Sequence, residues 1–113
     1  MTIYISGDTH GIWDVNKLKE LNATKDDYII ICGDCGVLWD KKSAPKMIEL
    51  YESFGATVLF VDGNHENFDM LKALPIVEIL GGRAHKVSDR IYHLMRGEVF
   101  DIGGKKILAL GGA

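Results

Sequence analysis

The sequence predicts an α/β fold in which a mostly parallel sheet is followed by antiparallel hairpins. As far as Pro75, short apolar runs alternate with segments that repeat apolar residues at helical spacing. The run Tyr28–Cys32 is continuously apolar, as expected for a parallel strand that is covered on both faces. After Pro75 the apolar runs are short and are separated by glycine-containing turns, which is typical of hairpins.

The first half of the chain is predicted to alternate strands and helices. Residues 2–5 form a short, β-branched run that indicates a buried strand, and residues 12–22 repeat apolar side chains every third position, which indicates a helix. Tyr28–Cys32 is the second strand. Ser43 is placed to cap a second helix, which Gly55 ends.

The order βαβαβα is then completed by a third strand and a third helix. The strand is predicted at Thr57–Val61, and the helix runs from a cap at Asn67 to Leu74, where Pro75 stops it. Connections of this length require parallel strands, whose ligands gather beyond the carboxyl ends of the strands.

The second half is predicted to contain four strands, at residues 76–80, 91–95, 98–102 and 105–110. The last of these carries four consecutive apolar residues that favour a central strand with cover on both faces. The sequence ends three residues later, so we expect the edge and one face of this strand to be open and the chain to self-associate through it.

Length and composition restrict the function. A chain of 113 residues forms one domain, and a net charge of -3 supplies no basic surface for nucleic acid or anionic membranes. No apolar run approaches the ~18 residues of a membrane span, and no secretory signal is recognisable, so we expect a cytoplasmic protein.

Polar residues follow each of the first three predicted strands. Asp8 and His10 follow the first strand, Asp34 the second and Asn64 the third. Each motif alone is commonly a turn or surface feature. Together they supply carboxylate, imidazole and amide oxygen, a set suited to Mn, Fe, Zn or similar divalent ions, and the carboxylate of Asp34 has two oxygens with which to bridge a pair. The pattern therefore predicts a site for two divalent metal ions.

Three motifs in this order resemble the first signature blocks of the calcineurin-like metallophosphoesterases. They are Gly7-Asp8-Thr9-His10-Gly11, Gly33-Asp34 and Gly63-Asn64-His65-Glu66. The resemblance extends over residues 1–113 and implies the N-terminal half of a four-layer αββα sandwich, with the domain incomplete at its C-terminus.

The resemblance also implies roles for individual residues. Asp8 and His10 are expected to hold the first metal, Asp34 to bridge both metals, and Asn64 to hold the second. His65 is the expected catalytic residue, near the leaving-group oxygen. The implied reaction is hydrolysis of a small phosphomonoester or phosphodiester by a metal-activated water.

The sequence departs from the family pattern in two places. The second block continues into Cys35 rather than into a further aspartate and an arginine, which argues against the protein-phosphatase branch. The family takes further metal ligands from histidines of later blocks, which this sequence does not reach. His85 and His93 do not fit those blocks; we expect His93 to be a structural strand residue and His85 to have no partner.

Besides an active phosphoesterase, two other functions remain open. The first is an inactive metal-binding fragment that needs a partner segment. Cys32 and Cys35 also match the Cys-x-x-Cys pattern of redox proteins. Because Cys32 ends an apolar strand, we expect it to be a buried, inert residue, which makes the redox function the weakest of the three.

Overall fold

Eight strands and two helices are present in the computed structural model, which describes residues 1–7, 22–33, 40–63 and 67–110. The strands are β1 (Ile3–Ser6), β2 (Tyr28–Cys32), β3 (Thr57–Val61), β4 (Ile76–Ile79), β5 (Gly82–Ser88), β6 (Ile91–Leu94), β7 (Val99–Ile102) and β8 (Lys105–Leu108). The helices are α1 (Ala44–Glu52) and α2 (Phe68–Lys72).

Six strands form one mixed sheet in the order β1-β2-β3-β6-β5-β4. The pairs β1-β2, β2-β3 and β3-β6 are parallel, whereas β4-β5 and β5-β6 are antiparallel. The predicted fold class, a mostly parallel sheet followed by antiparallel hairpins, is therefore confirmed. One detail was not foreseen: the chain leaves the parallel part after β3, forms β4 and β5, and returns with β6 beside β3.

The core lies on both faces of this sheet, and alternate residues of β2 divide between them. Ile29 and Ile31 pack in the cluster that contains Tyr51 of α1. Ile30 points to the opposite face and packs in the cluster that contains Phe100 of β7. The continuous apolar run of β2 is explained by this double cover, because both sets of side chains leave water.

A second sheet of two antiparallel strands, β7 and β8, covers the face opposite the helices. Phe100 is fully buried there, and its ring lies against the backbone of Gly82, where an added Cβ would stand 2.7 Å from Cε1 of the ring. The helices, the large sheet and the small sheet thus form three successive layers.

Of the two helix caps predicted from the sequence, the structure has one. The Asn67 side chain accepts a hydrogen bond from the Met70 backbone N–H, so its predicted cap is confirmed. Ser43 stands at the N-cap of α1, but its side chain makes no capping hydrogen bond. The Ser43 backbone N–H instead donates to the Asp40 carboxylate at 2.6 Å. None of the helices in the described ranges is long and apolar enough to cross a membrane.

Two predictions about strands were wrong. The first strand is not buried: β1 lies at the edge of the sheet, pairs only with β2 among the described strands, and leaves Ile5 72% exposed. Strand β5 was not predicted at all, because its sequence is largely polar. The predicted helix over residues 12–22 lies outside the described residues except for Asn22.

The last predicted strand is shorter than expected and pairs only with β7 in the described part of the chain. It is therefore not a central strand there. Ala109 is buried, and its backbone exchanges hydrogen bonds with Gly97 and Glu98. Leu108 and Leu110 are 55% and 69% exposed, so this segment does leave an apolar face open, as expected.

Replacement of Phe100 tests the packing of the two sheets. Phe100→Ala removes a fully buried ring between them and is expected to lower the free energy of unfolding by about 3–5 kcal/mol. Val99 precedes Phe100, points to the opposite face of β7 and is 47% exposed, so Val99→Ala should lower the free energy of unfolding by less than about 1 kcal/mol. Urea unfolding measures both. Equal losses would mean that the small sheet does not pack on the large one.

Candidate functional site

The carboxyl ends of β1, β2 and β3 lie close together, and each is followed by a glycine, at Gly7, Gly33 and Gly63. The Gly33 backbone N–H donates to the Val61 carbonyl at 3.1 Å, so the end of β2 is tied to the end of β3. A Cβ added to Gly7 would lie 3.1 Å from the Cys32 carbonyl oxygen, so the ends of β1 and β2 are equally close. The chain therefore leaves three neighbouring strands at adjacent points.

Gly33 has a conformation that explains why glycine precedes Asp34. Its φ is +90°, a left-handed value that other residues rarely adopt. A Cβ at this position would also stand 3.6 Å from the Cα of Gly63. Any other residue here would be strained by this backbone conformation, although a Cβ would only make ordinary contact with Gly63.

The predicted site residues themselves lie outside the described residues. These are Asp8, His10, Asp34, Asn64 and His65. The structure does locate the residues that precede them, because Asp8 follows Gly7, Asp34 follows Gly33, and Asn64 follows Gly63. The ligand assignments and the catalytic role of His65 stay predictions. Within the described ranges, no three His, Cys, Asp or Glu side chains are grouped so that they could hold a metal.

Asp62, the residue that follows β3, is buried and bound on both carboxylate oxygens. One oxygen, Oδ1, lies 2.8 Å from Nε2 of His93, and the other, Oδ2, accepts a hydrogen bond from Nε of Arg96 at 2.7 Å. The Arg96 NH2 group also contacts Oδ2. Burial by itself raises the pKa of the Asp62 carboxyl, but the hydrogen bonds from Arg96 and His93 outweigh it and hold the pKa below its usual value. Asp62 is therefore ionised.

His93 continues this network to His85 on the neighbouring strand. The two residues are direct partners in the antiparallel pair β5-β6, and their Nδ1 atoms lie 3.0 Å apart. Both side chains are buried, at 5% and 8% exposure. The expectation that His85 has no partner is wrong. It failed because β5 was not recognised, although both histidines are four residues from Asp89, which lies in the turn between the strands.

The hydrogen-bond partners determine which ring nitrogen of each histidine carries a proton. Burial lowers the pKa of both His85 and His93, so both rings are neutral at pH 7. A carboxylate only accepts hydrogen bonds, so Nε2 of His93 carries its proton and Nδ1 of His93 is an acceptor. His85 then donates from Nδ1, and its Nε2 keeps a lone pair. No described residue donates a hydrogen bond to that atom.

A pocket of about 410 Å³ lies beside this network, between α2 and the strands. It is lined by Asp62, Phe68, Leu71, Lys72, His85, His93, Met95 and Arg96. The guanidinium carbon of Arg96 stands 5.7 Å from the centre of the Phe68 ring, within range of a cation–π contact. This pocket is not recognisable in the sequence, because its residues come from four separate segments.

A comparison with family models decides the class of the protein. The model described as calcineurin-like phosphoesterase matches residues 1–113, the whole chain. The chain belongs to this family. A search of curated proteins and a search of solved structures each found no match.

Membership of the calcineurin-like phosphoesterases confirms the resemblance found in the sequence. Members of this family are in general metal-dependent phosphoesterases, and the chain is a protein of this kind. The mixed α/β architecture of the described residues agrees with this assignment.

The predicted burial of Cys32 in this phosphoesterase is wrong. The residue is exposed rather than buried, and it is the last residue of β2. Burial is therefore no argument against a redox function. Its partner in the motif, Cys35, lies outside the described residues, and the family match favours phosphoester chemistry over redox chemistry.

The histidine pair should make the stability of this phosphoesterase depend on pH. Histidine in the unfolded chain has a pKa of about 6.5, whereas His85 and His93 have lower pKa values in the folded protein. Between the folded and unfolded pKa values, the unfolded chain binds more protons than the folded protein. The two neutral histidines therefore make their full contribution to the free energy of unfolding above about pH 6.5, and this contribution falls as the pH decreases.

Urea unfolding between pH 5 and 8 measures this loss. Asp62 and Arg96, which also contact the network, keep their charges over this range because their pKa values are lowered and raised respectively. His85→Gln should reduce the dependence on pH. An unchanged dependence in this variant would show that the buried pair is not its source.

The ion pair of Asp62 with Arg96 should matter more than one at the surface. Arg96→Gln leaves the carboxylate of Asp62, which is 2% exposed, with only His93, and should cost about 1–3 kcal/mol of unfolding free energy. Arg83→Gln breaks a pair with Glu98 in which the arginine is 60% exposed, and should cost less than about 1 kcal/mol. Thermal or urea unfolding compares them. A larger loss for Arg83→Gln would contradict the assignment of Asp62 as a buried anion.

Proposed function

We propose that this protein hydrolyses a small phosphomonoester or phosphodiester with the help of two divalent metal ions, Mn, Fe, Zn or similar. The observation that carries the proposal is the close approach of the ends of β1, β2 and β3 at Gly7, Gly33 and Gly63. Each of these glycines is followed at once by a predicted ligand. The family match over the whole chain supports the same reaction class.

The residues that follow the three strand ends fit such a pair of ions chemically. Asp8 and Asp34 supply carboxylates, His10 an imidazole and Asn64 an amide oxygen. Hard and borderline divalent ions accept this mixture of oxygen and nitrogen ligands. When bound, the ions would neutralise charge that develops on the phosphoryl group and lower the pKa of a bound water.

The protein's own residues have distinct roles in this proposal. Asp8 and His10 would hold one ion, Asn64 the other, and Asp34 would bridge them. His65 would donate a proton to the leaving-group oxygen, which becomes basic as its bond to phosphorus breaks.

Asp62 has a positioning role in the same proposal. It lies two residues before Asn64, and both of its carboxylate oxygens are fixed by His93 and Arg96. This anchoring fixes the backbone from which the third loop begins. Metal ligands need such support, because small errors in their position weaken binding and slow the reaction.

We also propose self-association through the last strand, β8, and the residues that continue it to Leu110. Leu108 and Leu110 are more than half exposed, and β8 has no second strand partner among the described residues. Exposed apolar side chains beside an open strand edge favour pairing with another chain.

Two substitutions test the metal assignments. Asp34→Asn should lower metal content more than Asp8→Asn, because loss of a bridging carboxylate weakens two sites instead of one. His65→Ala should retain metal and lose activity by about 10²–10⁴-fold, as expected for a general acid. Mass spectrometry of metal content and hydrolysis of an aryl phosphate with added Mn²⁺ measure these effects.

Three results would contradict the proposal. Equal metal losses in the two aspartate variants would argue against a bridge. Loss of metal in His65→Ala would make His65 a ligand. Hydrolysis that is insensitive to chelation would remove the metal from the reaction.

A further inference from the structure

The pocket beside α2 contains a hydrogen-bond acceptor that the proposed hydrolysis does not use. His85 lines this pocket, and the chain of contacts from Asp62 through His93 leaves a lone pair on Nε2 of His85. Asp62 is itself held by Arg96, so the orientation of both rings is fixed. An acceptor held in this way is complementary to a hydroxyl or amine donor on a ligand.

The remaining surface of the pocket is mainly apolar near the histidines and cationic toward solvent. Leu71 is buried, and Phe68 and Met95 complete the apolar lining. Lys72 is exposed, and the Arg96 side chain is 54% exposed, so both cations lie on the outer side. The volume of about 410 Å³ is within the usual range for small-molecule sites.

The charges around the pocket favour an anion. Among the described lining residues, Asp62 neutralises Arg96, the two histidines are neutral, and Lys72 supplies an excess positive charge. A ligand that fits would therefore combine an apolar body, one hydrogen-bond donor and a negative charge.

The pocket also includes residues on both sides of the proposed catalytic residues in the sequence, Asp62 before them and Phe68 after them. Asp62 is part of its lining and stands two residues before Asn64. We propose that this pocket binds the leaving group of the phosphoester, an apolar alcohol whose hydroxyl or amine donates to Nε2 of His85. The phosphoryl end would lie on the side of Arg96, whose guanidinium bonds Asp62 at the end of β3, two residues before the predicted ligand Asn64. The identity of this ligand rests on the proposed function, but its binding does not require metal.

Matched aryl phosphates test this inference. Hydroxyphenyl phosphate (the 3- and 4-isomers) carries the donor, and methoxyphenyl phosphate has a similar size and a leaving phenol of similar acidity but no donor. Calorimetry in EDTA measures binding to the whole chain without hydrolysis. At least one hydroxy isomer should bind about tenfold more tightly than its methoxy counterpart, the ratio expected for one hydrogen bond in a partly buried site.

Variants assign this preference to individual residues. His85→Phe should remove the preference and leave the methoxy compound bound with nearly unchanged affinity. Should His85→Phe fail to fold, His85→Gln, whose amide oxygen can still accept a hydrogen bond, should reduce the preference. Lys72→Gln should weaken both compounds equally, by about threefold to tenfold for one partly exposed charge. Lys46→Gln, at an exposed lysine of α1, is the matched control and should change neither affinity.

The outcomes separate this inference from the proposed function. Equal affinity for the two compounds in the wild-type chain would overturn the pocket assignment even if hydrolysis occurs. So would a preference that survives in His85→Phe or, should that variant not fold, a preference that is undiminished in His85→Gln. Binding with the expected preference in a chain that shows no metal-dependent hydrolysis would uphold the pocket as a ligand site and refute the phosphoesterase reaction.

Discussion

The parallel pairing of β1, β2, β3 and β6 is the constraint on which the other features of this structure depend. Parallel strands direct all their carboxyl ends to one edge, and the in-register pairing of β2 with β3 extends to Cys32 and Val61, their last residues. Both faces of the central strands are covered by apolar layers. The interior positions of β2 and β3 are therefore apolar, and polar residues follow the ends of these two strands.

A buried polar network joins the same edge to the interior. Asp62 carries a negative charge at 2% exposure, which would be costly without partners, and His93 and Arg96 supply them. Because β6 lies beside β3, the network reaches His85 on the next strand. The late hairpin strands, which carry no family motif, thus hold the carboxylate of Asp62 and form part of the wall of the adjoining pocket.

The sequence predicted local patterns well and long-range pairings poorly. β2 and β3 were predicted with their observed bounds, since a short, continuous apolar run between turn residues is typical of a strand covered on both faces. β5 was missed because polar residues dominate a strand that pairs on both sides. The histidine pair depended on that strand and was missed with it. Ile5 and Cys32 were expected to be buried, but burial at an edge strand or a strand end depends on neighbours that no local pattern specifies.

The central claim is that the edge formed by these strand ends is a two-metal phosphoesterase site. Anomalous diffraction from crystals of the whole chain soaked in Mn²⁺ tests it most directly. We expect two neighbouring peaks beyond Gly7, Gly33 and Gly63, bound by Asp8, His10, Asp34 and Asn64, with Asp34 between them. Manganese bound only elsewhere, such as at the His85–His93 pair, or an edge that remains without manganese at saturating concentration, would contradict it.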